Sequence, residues 1–162
     1  MDYRSAIAQG PALSQVNADA LVLVLAPEHS AAASPELDRL VKEALDSGDF
    51  ALKAGRSLYL HRPAGVKAPR LVLVAAANAQ AKSLKAAVAK GVAALKDSAA
   101  AHVAVALADG LVADVAAAQA LAQGVVAAVA DTIYLFRETK PSAPKPGALK
   151  KVTLLHAADV AA

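Results

Sequence analysis

The chain has 162 residues, which fits one domain in the usual range of roughly 100–200 residues. Apolar residues make up 57% and aromatics only 3%, so a sizeable core must be built from Ala, Val and Leu. A formal charge of +3, with Lys and Arg scattered along the sequence, lacks the basic stripe of a dedicated nucleic-acid binder, and the absence of Cys excludes disulfides and thiolate metal sites.

The amino terminus, MDYRSAIAQG, has no apolar segment of the signal-peptide type. Asp19 to Leu25 is a short apolar run rich in Leu and Val and stopped by Pro27, which predicts a strand buried on both faces, as in a parallel sheet. Ser34-Pro35-Glu36 then combines an N-cap, a first-turn proline and a carboxylate at the positive end of the helix dipole. Leu37, Leu40, Val41, Ala44 and Leu45 follow at helical spacing, and Gly48 is a natural stop. Ser57–His61 and Arg70–Val74 are two further strands, the second fully apolar after its Arg.

Ser83 is expected to open a helix with Leu84, Val88, Val92 and Leu95 on one face and Lys85, Lys90 and Lys96 mostly away from it. His102–Leu107 predicts another buried strand, closed by the turn signal Asp109-Gly110. A long helix is expected over Val115, Ala118, Ala122, Val125, Val129, Ile133 and Phe136, whose spacing keeps one face apolar for about six turns. The apolar stretch Leu111–Ala130 within it is interrupted by Asp114, Gln119 and Gln123, so no membrane span is expected and the default location is cytoplasmic. Lys140–Gly147, rich in Pro, breaks regular structure before a final strand at Lys151–Leu155. This alternation predicts an α/β fold with helices on both faces of a mixed, mostly parallel sheet.

The residues alone name no reaction. No G-x-G-x-x-G, G-x-x-x-x-G-K-[ST] or G-x-S-x-G pattern occurs, and the turn after Val74 reads Ala75-Ala-Ala-Asn78 where a phosphate-binding loop needs glycine. His29, His61, His102 and His156 include no pair at helical ligand spacing and read as structurally satisfied imidazoles. Asp46 with Asp49, and Asp109 with Asp114, flank predicted helix ends, where carboxylates form caps and turns. Ser34 and Ser83 read as caps rather than nucleophiles. The basic segment from Arg137 to Lys151 reads as a solvated linker, without the interleaved aromatics that stack on bases.

Several pieces, in order, resemble the amino-terminal domain of leucyl aminopeptidases. Asn17-Ala-Asp-Ala-Leu-Val-Leu-Val is similar to the family's opening A-D-A-L-V-V strand. Gly48-Asp-Phe-Ala-Leu-Lys-Ala-Gly55 is similar to its G-D-F-x-G-K-x-G turn, with Leu52 at the central glycine. Arg70-Leu-Val-Leu-Val resembles its R-V-L-L-V strand, although Ala75-Ala-Ala stands where the family often has G-L-G. Ala122-Gln-Gly124, then Tyr134-Leu-Phe136 and Lys140, resemble its A-x-G helix ending in Y-x-F-x-x-Y-K, with Thr139 in place of the second Tyr.

The resemblance implies a three-layer, macro-domain-like fold over residues 1–156, with residues 157–162 beginning a linker to a catalytic domain. That second domain would hold two metal ions, Mn or Zn, with a catalytic Lys and an N-T-D-A-E-G-R motif. No such motif occurs in this sequence. The resemblance therefore assigns no catalytic, cofactor-binding or metal-ligating residue to this chain. The parent would be a hexameric aminopeptidase acting on peptides, and this domain would serve assembly or substrate access beside its own catalytic domain and neighbouring subunits. The alternatives are a free-standing macro-like module for a nucleotide such as ADP-ribose, which would lack its Gly-rich loops, and a small enzyme without a recognisable constellation.

Overall fold

The computed structural model describes residues 2–7, 15–27, 35–53, 55–63, 65–77, 81–95, 100–107 and 151–156. In chain order they form β1 (Asp2–Ile7), β2 (Ala20–Leu25), α1 (Pro35–Ser47), β3 (Ser57–His61), β4 (Arg70–Ala75), α2 (Ala81–Ala93), β5 (His102–Leu107) and β6 (Lys151–His156). The helix expected over Val115–Phe136 and the Pro-rich segment after it lie outside the described residues, as do His29, Ser34, Asn78, Asp109 and Asp114.

One six-stranded sheet runs in the order β1-β6-β5-β2-β4-β3. Every neighbouring pair is parallel except β3 with β4, so the sheet is mixed and mostly parallel, as the alternating elements predict. Several details differ from the sequence reading: β4 and β6 each run one residue further, to Ala75 and His156. β2 begins at Ala20 rather than Asp19, α2 begins at Ala81 rather than Ser83, and β1 was not anticipated at all.

Successive side chains of a strand point to opposite faces, so the register sorts the core into two layers. Leu21 and Leu23 of β2 lie level with Leu71 and Leu73 of β4 and with Ala104 and Ala106 of β5. Val22 and Val24 lie level with Val72 and Val74 on one side and with Val105 and Leu107 on the other. Every residue of β2 is fully buried, which requires both layers to be covered. The valine layer lies under α2. A Cβ placed on Gly91 would stand 2.6 Å from Val22 Cγ1 and 3.1 Å from Val74 Cγ2, so the missing side chain lets helix and sheet close on each other. The step from β2 to β4 and the step from β4 to β5 run in opposite directions along the sheet. Leu21, Leu23, Leu71 and Leu73 are fully buried as well, which requires cover on the opposite face, and α1 adds a second helical stripe to the core. Leu37, Val41 and Ala44 are its buried stripe, and Leu84, Ala87, Val88 and Val92 are that of α2.

The turn after α1 explains the Gly48-Asp-Phe piece. Gly48 has φ +83°, where an L side chain is strained, and its N–H donates to Leu45 O at 3.3 Å. The Asp49 carboxylate accepts from Ser47 Oγ at 3.1 Å, and the Phe50 N–H reaches back to Ala44 O at 3.2 Å. The Phe50 ring then enters the core. Leu52, the departure from the family pattern, packs partly buried against that core.

Candidate functional site

The richest polar cluster lies at the amino end of the parallel strands. Asp19, just before β2, accepts the backbone N–H groups of Ala101 and His102 on its carboxylate, both at 2.9 Å. Its own N–H donates to His102 O at 2.9 Å, and its carbonyl accepts from Arg70 Nη1 at 3.2 Å. His102 Nε2 lies 2.8 Å from Oγ1 of the buried Thr153. One side chain from each of four strand starts thus ties β2, β4, β5 and β6 into register. The two amides aimed at the carboxylate hold Asp19 below the usual Asp range, and His102 and Arg70 add to this while desolvation opposes it. Asp19 and His102 are both engaged in these bonds, and the arrangement works as a brace.

Asp19→Ala is expected to cost about 2 kcal/mol, because the bonds to a charged acceptor go and two amides lose their partner. The sign with pH follows from the lowered pKa in the folded state. The carboxylate's contribution is present in full above the ordinary Asp value of about 3.9 and is lost as pH falls through the folded value. Denaturant melts at neutral pH and near pH 3 should therefore show the gap between wild type and variant narrowing in acid; a gap that does not change with pH would refute the brace.

Open α/β sheets bind ligands beyond the carboxyl ends of their strands, where the chain reverses its direction of winding. Here that place lies beyond β2, β4 and β5. The described residues there are Ala26 and Pro27 after β2, and Ala76 and Ala77 after β4, with the Ala76 N–H donating to Leu25 O at 2.7 Å. Their side chains carry no polar atom. His61 is at the exposed end of β3, with its Nδ1 3.2 Å from Tyr59 Oη, and lies opposite Arg70 in the strand register. Asp46 is exposed on α1, and Asp49 bonds Ser47, as expected for groups at a helix end. Among the described residues no group of three or more His, Asp or Glu side chains could hold a metal ion. No described helix is long and apolar enough to cross a membrane.

The family profile "Cytosol aminopeptidase family, N-terminal domain" matches residues 12–142. The chain belongs to this family. Among curated members it is 45% identical over 157 residues to "Probable cytosol aminopeptidase" of Methylibium petroleiphilum, which covers 96% of this chain and 31% of that one. It is 35% identical to the protein of the same description from an Acidovorax species, covering 83% of this chain and 26% of the relative. The chain thus spans about a third or less of the length of the cytosol aminopeptidases it matches. A mutant of tomato leucine aminopeptidase superposes with a TM-score of 0.71 at 22% identity, over 96% of this chain and 32% of the tomato chain. The macrodomain of Thermus aquaticus DarG superposes at 0.58 with 11% identity, over 95% of this chain and 97% of its own. The Trypanosoma brucei macrodomain in complex with ADP-ribose superposes at 0.57 with 12% identity, over 94% and 63%. These likenesses show the macrodomain-like α/β fold of this amino-terminal domain.

Two of the resembling family segments gain a physical reason from the structure. The Asp of A-D-A-L-V is the carboxylate of the brace, and the Arg before L-V-L-V donates to that Asp's backbone carbonyl. Read alone, Asp19 was only the first residue of a strand. The available signal was a charged residue immediately preceding a fully buried run, a position that demands a partner.

Proposed function

We propose that this chain is the non-catalytic amino-terminal domain of a leucyl-type aminopeptidase and serves assembly or substrate access for a catalytic domain that follows it. The family match over residues 12–142, together with relatives about three times as long, carries the reading. In this reading residues 1–156 form the domain and residues 157–162 begin the linker. The catalytic domain removes amino-terminal residues from peptides with two Mn or Zn ions, and the parent is a hexamer. The description of the relatives as cytosol aminopeptidases supports a cytoplasmic location. No residue of this chain is assigned to catalysis or to a metal.

A second reading, a free-standing module for ADP-ribose, is favoured by the likeness to a macrodomain that holds this ligand. The Ala-Pro and Ala-Ala turns at the carboxyl ends of β2 and β4 speak against it, since a diphosphate is cradled by glycine-rich backbone or cationic groups. Two measurements on the purified 162-residue protein separate the readings. With Mn²⁺ or Zn²⁺ present, leucine amide should not be hydrolysed, and calorimetry with ADP-ribose should give a Kd above roughly 1 mM. Turnover lost on changing one acidic residue would overturn the first reading, and micromolar ADP-ribose affinity would establish the second.

A further inference from the structure

We propose that the outer edge of β3 takes up an extended acidic segment of a partner protein as an added strand, an inference that does not depend on the aminopeptidase reading. β3 is the last strand in the sheet order and pairs only with β4 among the described residues. Such an edge presents unpaired N–H and C=O groups that an extended peptide can satisfy. Tyr59, at its centre, is 42% exposed and is the exposed large hydrophobic side chain among the described residues. It stacks on His61 with ring centroids 6.3 Å apart and planes 19° from parallel. Because Tyr59 pairs with Val72 and Ser57 with Val74, Tyr59 and His61 stand on the face of the sheet that α2 covers.

Charge defines the occupant. The scatter of Lys and Arg along the sequence conceals a segregation of the acids. From Phe50 to Lys96 the chain carries nine of its 17 Lys and Arg and none of its 14 Asp and Glu. That span builds β3, β4 and α2. Arg56 and Arg62 are exposed at the two ends of β3, and Lys82, Lys85 and Lys90 are exposed on α2. Among the described residues none of these five forms an ion pair. Glu36 of α1 reaches this span beside Gly65, with Arg39 next to it, and the excess of cations beside an open edge attracts carboxylates and repels bases.

The same charges reject a second copy. Antiparallel self-pairing centred on Tyr59 would set Arg56 of one copy against Arg62 of the other, and parallel self-pairing would set each Arg beside its like; both are unfavourable. A nucleic-acid strand is a poorer match, because stacking successive bases needs several aromatic platforms and this edge has one Tyr. Arg56 and Arg62 are separated by roughly 20 Å of extended chain. The fitting ligand is therefore a segment of about seven residues with carboxylates at both ends and an apolar side chain between them to cover Tyr59.

The test uses the 162-residue protein and two fluorescently labelled heptapeptides, EVTVTVE and its charge-reversed form KVTVTVK. By anisotropy EVTVTVE should bind, and weaken at least about tenfold as NaCl rises from about 50 to about 500 mM. KVTVTVK should bind at least about tenfold more weakly at low salt. The R56E/R62E variant should lose EVTVTVE by about tenfold or more and gain KVTVTVK, an exchange of preference that loss of folding could not produce. Backbone amide hydrogen exchange should slow across Ser57–His61 when EVTVTVE is bound. Failure of EVTVTVE to bind at millimolar concentration, equal binding of both peptides, or unchanged exchange across β3 would each overturn the proposal. So would tighter binding of a single-stranded oligonucleotide of equal charge, which would assign the face to phosphate.

Discussion

Phe50→Ala is expected to destabilise the domain by about 3–5 kcal/mol, the usual cost of emptying a buried Phe site. The ring is 2% exposed, and its backbone is fixed by the bond from its N–H to Ala44 O just beyond the α1 turn. Repacking into the space is therefore restricted, which places the cost towards the upper part of the range. Typical domains have only about 5–15 kcal/mol in total, so the variant should melt far below wild type in denaturant. Phe50→Leu, which keeps much of the apolar volume, should recover most of the loss. Equal stability of the Ala variant and wild type would show that the Gly48-Asp-Phe turn does not anchor α1.

Gly91→Leu should be comparably damaging, by more than about 3 kcal/mol, beyond the 1–3 kcal/mol typical of overpacking. Even the first added carbon would meet Val22 at 2.6 Å, and both Val22 and Val74 are fully buried and stiff at χ1. Gly91→Ala sets two effects against each other. Helix propensity favours Ala by about 1 kcal/mol, and the clash opposes it. Because the neighbours belong to the centre of the sheet rather than to a flexible side-chain tip, the clash should win and the Ala variant should also lose stability. Ala86→Leu on the exposed face of the same helix is the control, with an effect below about 0.5 kcal/mol. Denaturant midpoints of the three variants order themselves on this argument, and a Gly91→Ala variant more stable than wild type would contradict the close packing.

Legibility in the sequence followed how local each signal is. β2, β4 and β5 were readable because burial on both faces needs uninterrupted Leu, Val and Ala, and nothing else in a chain of this length writes that pattern. α1 was readable from its Pro35-Glu36 start, its stripe and Gly48, all within one element. β1 was not, because Asp2–Ile7 has neither alternation nor an apolar run, and its neighbour among the described strands comes from residues 151–156, far along the sequence. Gly91 interrupts a good helix pattern, and only the valine layer beneath it explains why. The brace was hidden for the same reason. Asp19, Arg70, His102 and Thr153 lie in or beside the first residues of four separate strands and become neighbours only when the sheet is assembled. The family could be read from ordered fragments, because those fragments are the caps, turns and strand starts that the geometry requires.

The pairing of β1 with β6 bears on how the protein is made. Asp2 is level with Lys151, and β6 lies between β1 and β5. On the ribosome, at roughly 5–20 residues per second, β1 emerges first of the described strands and its described partner β6 on the order of ten to thirty seconds later. Once β5 has emerged, its edge that will receive β6 stays unpaired until Lys151–His156 follow, and a nascent chain in that state is exposed to intermolecular strand pairing. Contacts of such long sequence separation also slow the final step, since chain closure must precede any gain from the bonds it forms. The last strand is thus the one that completes the sheet, and a chain released before Lys151 would leave two strands without the neighbour they share.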